Sequence, residues 1–173
     1  MHRFLILLAS LLLVAPSAAQ AQDWRTYQNE TYNYAIEHPT AGFSISETDK
    51  GLTLIEADGR GQIDIYGAVN DMGVGPAQFE DTLAGADRIK EITYSRRGNS
   101  WLAISGYYRR ENDAADDLIF YAKFMFSPDR TLLSAFEASY PLADKERFDP
   151  IIERMEDSLT APRRSSVGAV QIE

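Results

Sequence analysis

Apolar and polar residues alternate along most of the chain, the pattern of strands buried on one face. Over residues 24–39, WRTYQNETYNYAIEHP, the side chains of Tyr32, Tyr34 and Ile36 fall on one face of a strand that Pro39 ends. Phe43 and Ile45 mark a short second piece. In LTLIEADGRGQIDIYGAV, Leu52 and Leu54 mark one strand and Ile63, Ile65 and Val69 the next. Asp58-Gly59 joins them, since glycine accepts the positive φ of a tight hairpin turn. The period then changes. Pro76 suits the first turn of a helix, and Phe79, Leu83 and Ala86 recur at i, i+4 and i+7 on a short amphipathic helix. Four strands follow over residues 89–96, 101–110, 117–126 and 131–140. They are turned at Gly98-Asn99, at the polar loop ENDAAD and at SPDR, residues 127–130. The run LIFYAKFMF is apolar on both faces, with Leu118, Phe120 and Phe124 on one and Ile119, Tyr121 and Met125 on the other. Both faces therefore need a cover. Phe148, Ile151, Ile152, Met155 and Leu159 make a wide apolar stripe on a closing helix that supplies part of it. Strands, a helix, four antiparallel strands and a helix define an α+β class. The expected architecture is a mostly antiparallel sheet of about six to seven strands with helices packed on both faces, an α/β/α sandwich.

The first residues break this pattern and change the picture of where the chain goes. His2 and Arg3 precede an apolar run, Phe4 to Val14, too short for a bilayer span. Pro16 and Ser17 interrupt it, and Ala19-Gln20-Ala21 supplies the small residues a signal peptidase requires. Residues 1–21 read as a secretory signal peptide cut after Ala21, which places the mature chain in the periplasm or outside the cell. No second apolar run follows, so the mature chain is expected to have no membrane span. Residues 22–160 suit a single domain, and residues 161–173, APRRSSVGAVQIE, lack any period and read as a disordered tail. The net charge is −9, and loss of Arg3 with the leader takes it to −10. Nucleic acid and anionic lipid reward positive charge, so neither is an expected partner. The chain has no Cys, which excludes disulfides, thiol chemistry and Cys-ligated metals.

Few residues suggest chemistry. The glycines of EADGRGQIDIYGAVN, residues 56–70, precede a strand rather than a helix, so they read as a turn and not as a phosphate cradle. His38 is the one imidazole beyond the leader, and GNSWL fails the nucleophile-elbow pattern at its last position. His38 reads as a partly exposed spacer before Pro39. One His and no Cys make a zinc site poor. ENDAADD, residues 111–117, lacks the glycine and terminal Glu spacing of a calcium loop and reads as a solvated hairpin loop. No catalytic residue, cofactor or metal is expected. The informative cluster is polar and aromatic. A two-residue Gly98-Asn99 turn puts Arg96 opposite Trp101, as a cation–π pair, with Tyr94 and Ala103 beside them. Tyr107 and Arg109 extend the hairpin, and Tyr94, Arg96, Trp101, Tyr107 and Arg109 form a candidate interaction patch or an amphipathic cover for the sheet. Lys123 stands alone in its strand, facing Ser134 by the expected register. It reads either as a snorkelling side chain at a sheet margin or as the polar group of a candidate cleft with Tyr121 and Phe136.

These motifs carry a resemblance. W..Y.N..Y.Y.I.HP (Trp24 to Pro39), ADG...I.IYG (Ala57 to Gly67), ITYSRRGNSWLAISGYY (Ile92 to Tyr108), IFYAK (Ile119 to Lys123) and YP....ERFDPIIERMEDSL (Tyr140 to Leu159) resemble small secreted proteins of Gram-negative bacteria in the PsbP-like (Mog/PsbP-type) α/β/α sandwich superfamily. The chain departs from that pattern at His38, where an aromatic residue is expected. The resemblance implies a domain that acts by binding other proteins, as thylakoid-lumen extrinsic subunits and a nuclear-transport accessory factor do, and it supplies no catalytic residue. The expected function is a non-enzymatic domain that binds a protein or envelope component in an accessory or assembly role. The alternatives are a carrier holding a small apolar ligand or lipid in a groove between sheet and helix, and a carboxylate-based enzyme.

Overall fold

A computed structural model describes residues 23–109 and 117–164. The leader, most of the ENDAADD loop and residues 165–173 lie outside the described residues.

The chain opens with a two-stranded antiparallel hairpin, β1 (Trp24–Asn29) and β2 (Tyr34–Pro39). The stretch expected to form one strand thus folds back on itself. The cause is local: Asn29 Oδ1 accepts the Tyr32 amide at 2.9 Å, and Asn33 takes the left-handed conformation (φ 50°) that asparagine tolerates. Next come β3 (Phe43–Glu47), β4 (Gly51–Glu56), β5 (Gln62–Val69), helix α1 (Pro76–Ala84), β6 (Ile89–Arg97), β7 (Trp101–Tyr108), β8 (Leu118–Phe126), β9 (Leu132–Pro141), a 3-10 turn (Leu142–Asp144) and helix α2 (Lys145–Ser158). The seven later strands form one antiparallel sheet in the order β3-β4-β5-β9-β8-β7-β6. The β4–β5 connection is the expected turn, with Gly59 at φ 71°.

Strand alternation divides the sheet into two apolar faces. On one face Leu52, Leu54, Ile63, Ile65, Ile119 and Phe136 pack with the β1–β2 hairpin and with Phe148, Ile151, Ile152 and Met155 of α2. On the other, Leu102, Ile104, Phe120, Phe124 and Leu133 pack with Phe79 and Leu83 of α1. Phe79 sits edge-on to Phe124 and Phe126, with ring centroids 4.9 and 5.5 Å away. The doubly apolar β8 is therefore covered on both sides, as its sequence requires. Past α2 the chain continues along β2. The Thr160 amide donates to Ala35 O (3.0 Å), the Arg163 amide donates to Tyr32 O (3.2 Å), and Thr160 O accepts from the fully buried Ser134 hydroxyl (2.7 Å). The tail expected from residue 161 thus begins with a stretch in which the Arg163 amide is held by Tyr32 O.

Two turns differ from expectation and shift the register of what they join. In the β6–β7 hairpin the Gly98 amide donates to Trp101 O (3.0 Å), so the two-residue turn is Asn99-Ser100. Arg96 faces Ala103 rather than Trp101. Glycine is needed at 98 because a Cβ there would stand 2.3 Å from the Trp101 indole nitrogen. In the β8–β9 hairpin, Arg130 takes a left-handed conformation (φ 58°), and Asp129 accepts from the Thr131 amide and from the Ser127 hydroxyl. The four-residue loop is therefore 128–131, one residue beyond SPDR, and Lys123 faces Phe136 rather than Ser134.

A candidate binding face on strands β6 to β8

The two helices do not cover the sheet symmetrically. α1 packs on β6 and β7 from one side, whereas α2 and the β1–β2 hairpin sit over the other side nearer β9. The α2-side face stays exposed on β6, at Tyr94 and Arg96, and is half-covered on β7 and β8, where Ile119 is buried and Tyr107, Tyr121 and Met125 pack against the α2-side core. Register fixes what stands on it. Ser105 of β7 lies between Tyr94 of β6 and Tyr121 of β8, and Ala103 lies between Arg96 and Lys123. Trp101 and Tyr107 share the same face at the two ends of β7. Small residues in the middle strand between large ones on its neighbours make a trough along β7. Ser105 lies on its floor and Ala103 is buried beneath it; Tyr94 with Arg96 and Tyr121 with Lys123 form its walls, and Trp101 and Tyr107 stand at its ends.

Toward Tyr107 the trough deepens into a groove of about 360 Å³ between the sheet and the start of α2, lined by Tyr94, Tyr107, Tyr121, Tyr140, Leu142 and Ile152 among others. Tyr94 is 41% exposed, and Trp101 belongs to neither apolar cluster. Several polar groups around the groove have internal partners. Lys145 Nζ donates to the Asp149 carboxylate (2.7 and 2.8 Å), and Ser105 Oγ donates to Phe120 O (2.8 Å). Burial first, and then the hydrogen bond to Glu156, push the Tyr121 phenol well above its usual range. Burial does the same for Tyr140. Both hydroxyls stay protonated near neutral pH, and that of Tyr121 donates to Glu156.

Lys123 and Tyr121 join β8 to the last turns of α2. Lys123 Nζ donates to the Glu156 carbonyl (2.9 Å) and to its carboxylate (3.4 Å), while the Tyr121 hydroxyl donates to the other carboxylate oxygen (2.7 Å). The Lys123 ammonium also stands 5.8 Å from the centre of the Trp101 ring. It occupies the cation–π position expected for Arg96. Arg96 has no hydrogen bond, ion pair or ring contact among the described residues.

Tyr94, Arg96, Trp101 and Tyr107 of the expected patch thus share one face, and Tyr121 and Lys123 of the expected cleft join them. Two residues stand apart. Arg109 donates to Asp87 O (3.0 Å) and Ile89 O (3.4 Å), which staples the end of β7 to the start of β6. Phe136 is fully buried beneath Tyr121, its ring stacked at 5.9 Å, so it supports the wall from below and lines no cleft. Sequence reading missed Lys145, Asp149 and Leu142, whose place beside the groove depends on how α2 docks. The signal for the floor was present in the alternation Trp101, Ala103, Ser105, Tyr107. His38 is buried, not partly exposed, and its Nδ1 lies 3.0 Å from Pro39 O.

The fold has solved relatives. The structure of cyanobacterial PsbP (CyanoP) from Synechocystis matches with a TM-score of 0.53 and 10% identity, covering 86% of this chain and 98% of that one. The Ran-binding protein Mog1p of Saccharomyces cerevisiae matches with a TM-score of 0.54 and 8% identity, covering 82% of this chain and 96% of that one. No family model and no curated protein sequence matches the chain. The class is therefore the PsbP/Mog1-like α+β fold, in agreement with the resemblance carried by the sequence motifs. At such identities the likeness is one of fold. No described helix is long and apolar enough to cross a membrane.

Proposed function

We propose that the chain is an exported, non-catalytic domain that binds a protein partner on the α2-side face of β6, β7 and β8, in the periplasm or outside the cell. The observation that carries this reading is the face itself. Tyr94, Arg96 and Trp101 stand outside both apolar cores, and Trp, Tyr and Arg are the side chains that most often anchor interfaces. The leader-like residues 1–21 support export. The absence of Cys and the confinement of His38 against Pro39 O support a role without covalent chemistry. Mog1p, which shares the fold, is a Ran-binding protein, so the fold accommodates a protein partner. A second reading, a carrier of a small apolar ligand, is favoured by the groove of about 360 Å³, near the lower end of ligand-pocket volumes.

A photo-cross-linking side chain placed at position 94, and at position 55 as a control, separates these readings in cells that make the protein. Ile55 is as exposed as Tyr94 but lies on the opposite sheet face. A discrete protein adduct from position 94 and none from position 55 is expected. No protein adduct from 94, or the same adducts from both, contradicts the proposal, and a small-molecule adduct from 94 alone favours the carrier.

A further inference from the structure

If the face of β6, β7 and β8 binds a protein, the shape of the trough along β7 narrows the form of that partner, an inference that rests on the binding-face reading. The trough walls belong to β6 and β8, two strand spacings apart, or about 9.6 Å between backbones. Side chains narrow that width further. An α-helix with its side chains is about 10–12 Å across and does not fit between such walls, whereas a single extended chain does. Along β7 the environment changes within two residues, a step of about 6.8 Å. At Ser105 the walls are the rings of Tyr94 and Tyr121, a slot between two phenol rings with hydroxyls at its rim. At Ala103 they are the Arg96 guanidinium and the Lys123 ammonium. Lys123 is already held by Glu156, but Arg96 has no partner among the described residues. An exposed guanidinium with no partner among the described residues, on a chain of net charge −9, is a local positive site in an acidic surround. Its fork geometry suits a carboxylate.

We infer that the trough takes an extended peptide segment of the partner, with an apolar side chain between Tyr94 and Tyr121 and, two residues away, a carboxylate against Arg96. The two-residue spacing follows from the shared repeat of strand and ligand, whose side chains return to one face at every second position. The rest of the acidic surface repels acidic segments that do not place their carboxylate at Arg96, which gives selectivity. An acyl chain suits this site less well, because Thr93, Ser105 and the tyrosine hydroxyls put polar groups along its length.

The test is selection of random nonapeptides displayed on phage against the purified mature chain, repeated with the Arg96→Glu and Tyr94→Ala variants after thermal unfolding shows that each is folded. On the native chain, peptides with an apolar residue and an Asp or Glu two positions away are expected to be enriched about tenfold over the input. On Arg96→Glu the apolar position is expected to persist while the acid disappears in favour of Lys or Arg. Tyr94→Ala is expected to lose the apolar preference. Enriched peptides with no acid at that spacing, or with an acid that survives Arg96→Glu, overturn the inference while leaving a protein-binding face in place. A failure to enrich, with oleate shifting the tryptophan emission or a dimer seen by light scattering, replaces the peptide with a lipid or a second copy of the chain. The cross-linking result at position 94 then decides separately whether the binding-face reading also falls.

Discussion

At the scale of single residues, the chain separates side chains that hold the fold from side chains that face outward, and burial rather than residue type draws the line. Asn29 is polar yet structural. It is 4% exposed, it donates to the Tyr27 hydroxyl (2.9 Å) and to Asp49 O (3.2 Å), and it accepts the Tyr32 amide. Asn29→Ala leaves the Tyr27 hydroxyl, Asp49 O and the Tyr32 amide without this partner, and a loss of about 1–3 kcal/mol in urea unfolding is expected. Glu56, 8% exposed, is likewise held by a bidentate pair with Arg147 of α2. Neither role was readable from the sequence. Asn29 looked like one more polar position in an alternating run, and the Glu56 partner lies far along the chain. The aromatic members of the patch were readable, because Tyr94, Trp101 and Tyr107 crowd into one hairpin. Their exposure was not, because it depends on where α2 comes to rest.

At the scale of elements, nearly every strand followed from its period-two pattern, whereas the turns did not. A one-residue shift of each turn, from 98–99 to 99–100 and from 127–130 to 128–131, was enough to move Arg96 from Trp101 to Ala103 and Lys123 from Ser134 to Phe136. Pairing register is set by turn geometry, and the residue types of Gly98-Asn99 and SPDR admit more than one turn. The edge strand β6 shows the same sensitivity. It carries irregularities between Ile89 and Glu91 and between Ile92 and Tyr94. Such breaks discourage edge-to-edge pairing. Beside them Gly106 lets the backbones approach so closely that a Cβ would lie 1.9 Å from Glu91 O. Gly106→Ala is expected to push β6 away from β7, costing about 1–3 kcal/mol. Faster hydrogen exchange across β6, with little change in β8 and β9, is the measurement that checks it.

At the scale of the whole molecule, two properties can be checked without a partner. Burial raises the phenols of Tyr34, Tyr66, Tyr108, Tyr121 and Tyr140 well above their usual value. In the unfolded chain these groups ionise near pH 10. A raised folded-state pKa gives stability that is fully present below the unfolded value and is lost as pH climbs toward the folded one. The urea midpoint is therefore expected to fall once pH passes about 10, and a midpoint that stays level there would count against buried, protonated tyrosines. Export is checked by mass spectrometry of the secreted chain, where an N-terminus at Gln22 or within a few residues is expected, and an intact Met1 form in the membrane fraction would contradict it. The central claim, that the face of β6, β7 and β8 binds rather than supports, is tested most directly by Trp101→Ala, read by urea unfolding and by cross-linking from position 94 in the same preparation. A residue outside both cores is expected to cost at most about 1 kcal/mol while the protein adduct falls about tenfold. A loss of about 3–5 kcal/mol, the range for truncating a core aromatic, with the adduct unchanged per folded molecule, would contradict the account and make Trp101 part of the core.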